Sequence, residues 1–151
     1  MKKIFLLGED DSDDIEMFHE ALNEIDPSII LQRASDGQDL LQKLKNKELE
    51  EPHIIFLDIN MTGMNGWNCL TELKSHEQLR HIPVVIDSTS SFQTNAEKAI
   101  GLGALCFFTK PSDFQELKSI LEVFAANLHG NLLEGVNKFN VLQFRKVFVH
   151  S

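Results

Sequence analysis

Five short apolar runs punctuate the chain: Ile4–Leu7, Ile29–Leu31, Ile54–Leu57, Val84–Ile86 and Cys106–Phe108. Each is nearly continuous rather than alternating, the pattern of a strand covered on both faces. Helical spacing fills the stretches between them. Ile15, Phe18, Leu22 and Ile25 form the stripe of a first helix. Ser12 is its expected N-cap, Asp13 and Asp14 fall in its first turn, and Pro27 stops it. Leu40, Leu41 and Leu44 mark a second helix, and Trp67, Leu70 and Leu73 a third. Ala96, Ala99 and Ile100 belong to a fourth that ends at Gly101 or Gly103, and Leu117, Ile120, Leu121 and Phe124 carry a fifth. Alternation of strand and helix repeated five times predicts an α/β fold, a parallel sheet with helices on both faces.

The pattern changes after Leu128. Residues 129–151 form a sixth, apolar segment, and its Val141–Val149 part suits a strand and a helix equally. The division expected is therefore one domain over residues 1–128 and an extension over 129–151 that packs on the domain or lies at a dimer contact.

Composition adds limits rather than identity. The chain has 151 residues, 42% of them hydrophobic and 25% charged, which suits one globular domain. A formal net charge of −9 disfavours non-specific binding to nucleic acid or to an anionic membrane. Cys69 and Cys106 sit in apolar runs without a CxxC or a His/Cys cluster, so buried thiols in a reducing compartment are expected. The apolar stretch at Ile4–Leu7 runs into acid too soon for a signal peptide, no segment approaches the ~20 apolar residues of a membrane span, and a cytoplasmic location is expected.

Charge placement is more informative. Glu9, Asp10, Asp11, Asp13 and Asp14 crowd the end of the first strand. Asp13 and Asp14 fit a helix N-terminus, where carboxylates complement the macrodipole, and Asp11 fits either the cap or a pocket. Glu9 and Asp10 precede the cap, at the carboxyl edge of the sheet where ligands of open α/β folds bind. Adjacent carboxylates there suit a hard divalent cation. The same edge receives Asp58 after the third strand, Asp87, Ser88, Thr89 and Ser90 after the fourth, and Thr109, Lys110 and Pro111 after the fifth. An aspartate, a hydroxyl and a lysine converging with paired acids form a set able to handle a phosphoryl group: a carboxylate attacks, while cations and a hydroxyl meet the phosphoryl oxygens.

Those residues carry a family resemblance. Glu9-Asp10, Asp58 in FLDINMTGMNG, Ser88 after IPVVID and Lys110-Pro111 in GALCFFTKP resemble the response-regulator receiver domain of two-component signalling over roughly residues 1–128. The LRHIPVV approach to the fourth strand and the long final helix look most like single-domain regulators similar to the cyanobacterial phytochrome response regulator. The resemblance implies a flavodoxin-like, doubly wound, five-stranded parallel sheet in the order 2-1-3-4-5 with five helices. It implies Asp58 as phosphoacceptor, Asp10, Asp58 and the carbonyl of Asn60 as Mg2+ ligands with Glu9 assisting, Ser88 and Lys110 on the phosphoryl oxygens, and Phe107 as a switching aromatic. The implied partners are a sensor histidine kinase or phosphotransfer protein and a downstream protein target.

Some positions depart from that pattern. Phe107 replaces a more usual tyrosine, and Gly8 stands where a β-branched residue is usual. Gly8 either weakens its strand or admits a close approach. Asp87 takes a place that is normally apolar. Period-two alternation points it away from Ser88, so a solvated strand end is expected for it. Trp67 and the phenylalanines are expected in the core, and the six histidines show no ligand spacing.

The leading functional expectation is a signalling switch without enzymatic turnover of its own, with no DNA-binding module in the tail. Val141, Leu142, Phe144, Val147, Phe148 and Val149 are expected to pack on the domain or to bury in a homodimer. The alternative is an aspartyl-phosphate-forming phosphatase of the D-x-D-x-T type, against which Asn60 stands where the general acid is needed. A flavodoxin-like nucleotide binder is disfavoured by acids in the loop where phosphate needs glycine and free N–H groups. Asn60 and Ser90 are expected to border an attacking water.

Overall fold

The computed structural model describes residues 2–89, 93–111, 113–142 and 147–149. In chain order the elements are β1 Ile4–Gly8, α1 Ser12–Ile25, β2 Ile30–Ala34, α2 Gly37–Lys45, β3 Ile54–Asp58, α3 Gly66–Ser75, β4 Val84–Ser88, α4 Gln93–Gly101, β5 Cys106–Thr109, α5 Phe114–Asn127, α6 Leu132–Leu142 and β6 Val147–Val149. Five strands pair in parallel in the order 2-1-3-4-5, as expected. β6 adds an antiparallel sixth strand beside β5, and α6 adds a sixth helix.

Side-chain alternation sorts the sheet into two faces. Phe5, Leu7, Ile54, Phe56, Val85, Cys106 and Phe108 pack with α1 and α5, where Phe18, Leu22, Ile120, Leu121 and Phe124 are buried. Leu6, Ile55, Leu57, Val84, Ile86 and Phe107 face α2, α3 and α4. Both faces are covered, so β1, β3 and β4 are buried at every position. β2 lies at the edge and reads differently. It runs over Ile30–Ala34 rather than Ile29–Leu31, and Gln32 and Arg33 are admitted because little covers them.

Two local expectations shift. Asp11 rather than Ser12 caps α1, accepting hydrogen bonds from the amides of Asp13 at 2.9 Å and Asp14 at 3.0 Å. A carboxylate at that place satisfies two donors that the helix cannot. Gly8 is a close-approach glycine: a Cβ there would come within 2.8 Å of Leu57 Cδ2 and 3.2 Å of Leu40 Cδ1.

The tail resolves as helix and then strand. α6 packs against α5, with Val136 buried in the α1–α5 layer. His129, between α5 and α6, reaches the opposite end of the sheet from the acids. Its Nε2 lies 2.7 Å from the Lys2 carbonyl, and its ring stands edge-on to His53 at 4.7 Å between centroids. The side chains of Val141, Leu142, Val147, Phe148 and Val149, with Phe144 and Ser90, lie outside the described residues and side chains.

Candidate phosphoryl and cation site

Parallel register assembles the site. On the α1–α5 face, Leu7 leads to Glu9 just past β1, Phe56 to Asp58, Val85 to Asp87, and Phe108 to Lys110 just past β5, each two residues further on. Asp58 pairs with Asp87, and Asp87 with Phe108, in register. Four neighbouring strands thus each present a polar residue where the hydrophobic face ends. α3 starts directly behind this edge: the Gly66 amide donates to the Ile59 carbonyl at 3.0 Å, and a Cβ on Gly66 would come within 2.5 Å of the Asp58 carbonyl oxygen.

Lys110 fills the centre. Its Nζ donates to Glu9 Oε1 at 2.6 Å, Asp14 Oδ2 at 2.7 Å and Asp58 Oδ2 at 3.1 Å, which uses all three ammonium protons. Burial alone would lower its pKa. The neighbouring Asp87 and the hydrogen bonds with Asp14 and Glu9 overcome that and raise it. Asp14 therefore does more than the expected dipole service at the start of α1, because it is an ion-pair partner of the site lysine.

The other acids differ from one another. Glu9 is only 3% exposed. Burial pushes its carboxyl up to about 7 against the opposing pull of Lys110, and its Oε2 accepts the amides of Asp10 at 3.2 Å and Asp11 at 3.3 Å. Asp10 is exposed. Its Oδ2 accepts the Thr62 amide at 2.9 Å and the Thr62 hydroxyl at 3.1 Å, and these hydrogen bonds hold it below the usual carboxylate range. Asp58 is buried at the end of β3, and its Oδ1 accepts the Asn60 amide at 3.0 Å. Oxygens of Glu9, Asp10 and Asp58 all lie within 4.8 Å of one another, a hard-oxygen set that fits a small divalent cation.

Ser88 ends β4 and is buried, and its carbonyl accepts the Lys110 amide at 2.8 Å. Phe107 is fully buried, in register with Ile86. Asn60 is exposed in the loop after β3.

The expectation for Asp87 fails. It does point away from Ser88, but into the protein: 6% exposed, it lines a cavity of about 30 Å³ with Glu9, Asp14 and Lys110. Its Oδ1 has no hydrogen-bond partner among the described residues. Burial raises its pKa well above the ordinary value, and the surrounding acids add to that against Lys110. Alternation gave the direction correctly, but the strands on that side bring acids and a lysine rather than water. Thr62 is the hydrogen-bond partner of Asp10 that sequence reasoning missed. A loop threonine four residues after Asp58 carries no periodic signal, and only the fold sets it against Asp10.

Cys69 and Cys106 are free and buried, and burial pushes the Cys69 thiol up to about 12 and the Cys106 thiol higher still. Among the described residues no helix is long and apolar enough to cross a membrane.

Comparison with known proteins agrees with the geometry. Residues 5–122 match the model of the response regulator receiver domain. Response regulator Rcp1 of Synechocystis sp. is 30% identical over 126 residues, covering 80% of this chain and 84% of that protein. Among solved structures, the phosphorylated cyanobacterial phytochrome response regulator RcpA superimposes with a TM-score of 0.75 at 28% identity, over 81% of this chain and 90% of that one. The Mn2+-bound form of Rcp1 gives a TM-score of 0.74 at 26% identity, over 82% and 92%. Matched over most of its length, with a carboxylate nest and a lysine at the carboxyl edge of a 2-1-3-4-5 sheet, the chain belongs to the response regulator receiver domain family.

Proposed function

We propose that Asp58 accepts a phosphoryl group from the phosphohistidine of a sensor kinase or phosphotransfer protein. A carboxylate oxygen of Asp58 forms the new O–P bond, the P–N bond to the donor imidazole breaks, and the imidazole leaves. The observation that carries this reading is the position of Asp58: buried at the end of β3, 3.1 Å from the Lys110 ammonium, with Glu9 and Asp10 oxygens within reach.

In this reading Glu9, Asp10, Asp58 and the Asn60 carbonyl hold Mg2+, and the Mn2+-bound state of the similar Rcp1 supports a divalent cation there. The cation supplies positive charge against the phosphoryl oxygens. Lys110 adds a second positive charge, Ser88 donates a hydrogen bond, and Thr62 fixes the orientation of Asp10. Phe107 is the aromatic whose rotamer reports the state of Asp58 to the surface of α4, β5 and α5.

The phosphatase alternative is not favoured. Asn60 offers its amide to Asp58 and has no carboxyl to protonate a leaving group. The protein acts as a switch that binds other proteins, in the cytoplasm and apart from nucleic acid and membrane. Residues 1–128 form the receiver, and residues 129–151 form an extension that packs on the domain or contributes to a homodimer contact.

Intact mass after incubation with a small phosphodonor and Mg2+ tests this. One added phosphoryl group that requires Mg2+ and is absent from Asp58→Asn is the expected result. An adduct retained in Asp58→Asn would overturn the assignment.

A further inference from the structure

We infer that Asp87 is a positioning residue: its carboxyl is a second seat for the Lys110 ammonium, taken up when a divalent cation occupies the Glu9–Asp10–Asp58 nest before a phosphoryl group arrives to draw the lysine back. The inference rests on the reading of those three acids as the cation site.

Lys110 Nζ spends its three protons on Glu9, Asp14 and Asp58. Two of these, Glu9 and Asp58, also belong to the oxygen set that fits a cation. A divalent ion there draws on the same two carboxylates and repels the ammonium, which favours other acceptors for Lys110. Asp14 stays available because it lies outside the nest. Asp87 is the remaining candidate, with an Oδ1 that is buried and has no partner among the described residues. A buried polar atom without a partner is costly to keep, and here it shares a cavity with a donor, the Lys110 ammonium.

The space is suitable. Glu9, Asp14, Asp87 and Lys110 line one cavity of about 30 Å³, which holds a single water-sized group and so an ammonium head. Leu7, Met17, Phe18, Pro111 and Leu117 supply the rest of its lining. The backbone already fixes the start of the movement, since the Lys110 amide is held by the Ser88 carbonyl, one residue from Asp87. Only the lysine side chain has to turn, from Glu9 and Asp58 toward Asp87.

The test is Mg2+ titration of protein carrying 15N-labelled lysine, following the Lys110 Nζ signal (assigned with Lys110→Met) and the Mg2+ affinity together. Asp87→Asn keeps an acceptor oxygen without the charge, whereas Asp87→Leu removes the acceptor. In the wild type and in Asp87→Asn, Mg2+ is expected to move the Nζ signal to a new bonded position with affinities within about twofold of each other. In Asp87→Leu the affinity is expected to fall roughly five- to tenfold, and the bonded signal to be lost. Thermal melts of the variants confirm that they are folded. An Asp87→Leu affinity equal to wild type, or equal losses in both variants, would overturn the inference and leave the cation nest intact. No Mg2+ binding by the wild type would overturn the nest itself and the inference with it. The wild-type titration is decisive even if Asp87→Leu does not fold, because a Lys110 signal unmoved by saturating Mg2+ excludes the second seat.

Discussion

Lys110 Nζ lies 2.7 Å from Asp14 Oδ2 and 3.1 Å from Asp58 Oδ2, so the lysine of the site is held more closely by the first turn of a helix than by the strand-end carboxylate beside it. Asp13 shares that first turn and its dipole but is exposed and has no ion pair among the described residues, which makes it the natural control. Asp14→Ala is expected to cost about 1 kcal/mol in urea unfolding, and Asp13→Ala a few tenths.

Glu9 makes the resting protein sensitive to pH. Its carboxyl rises from 4.5 to about 7 on folding, so its contribution to stability is full below about 4.5 and is lost as pH rises through about 7. Glu9→Gln keeps an oxygen for Lys110 and removes the titration. Scanning calorimetry should find the variant more stable than wild type at pH 8, by at most about 3 kcal/mol, with the difference gone near pH 4.

The same shift works in the opposite direction on cation binding. Ligation needs the ionised carboxylate, so Mg2+ binding to the wild type should release a proton and tighten as pH rises through about 7. Isothermal titration at pH 6 and pH 8, in buffers of different ionisation enthalpy, reads both effects. The pH dependence should flatten in Glu9→Gln.

Removing the lysine leaves Glu9 and Asp58 buried side by side without a counter-charge. Lys110→Met should lose about 3 kcal/mol at neutral pH. Millimolar Mg2+ or mild acid should restore much of it, since either one neutralises the pair. Thermal melts with and without Mg2+ make the comparison.

Gly8 is a packing device rather than a weak point. Gly8→Ala forces a methyl to 2.8 Å from Leu57 Cδ2 and should cost about 1–3 kcal/mol by urea denaturation. Adding Leu40→Val relieves the second contact, at 3.2 Å, and should recover part of the loss.

The sheet was readable in the sequence because its strands are covered on both faces and appear as unbroken apolar runs. Where cover is partial the reading slipped: β2 extends through Gln32 and Arg33, whose polarity hid it. Val147–Val149 pairs only because β5 has a free side, which no local period encodes. The acids divide in the same way. The positions of Glu9, Asp10 and Asp58 were visible as strand ends, and alternation sent Asp87 in the correct direction. What lies on that side is set by Lys110, 23 positions further on, and by Asp14, 73 positions earlier, so the same residue reads as solvated from its neighbours and as buried from its fold.

β6 has a consequence for partners. A receiver sheet of five strands ends at β5 with a row of unused amides and carbonyls, open to any extended peptide. Here Val147–Val149 already occupies that row, antiparallel and in register with Cys106–Phe108, and Phe107 pairs directly with position 148. A partner that recognises this margin by strand addition must compete with the chain's own tail for one set of backbone bonds. Three residues make a short competitor, so the tail sets an affinity threshold for such partners rather than a barrier.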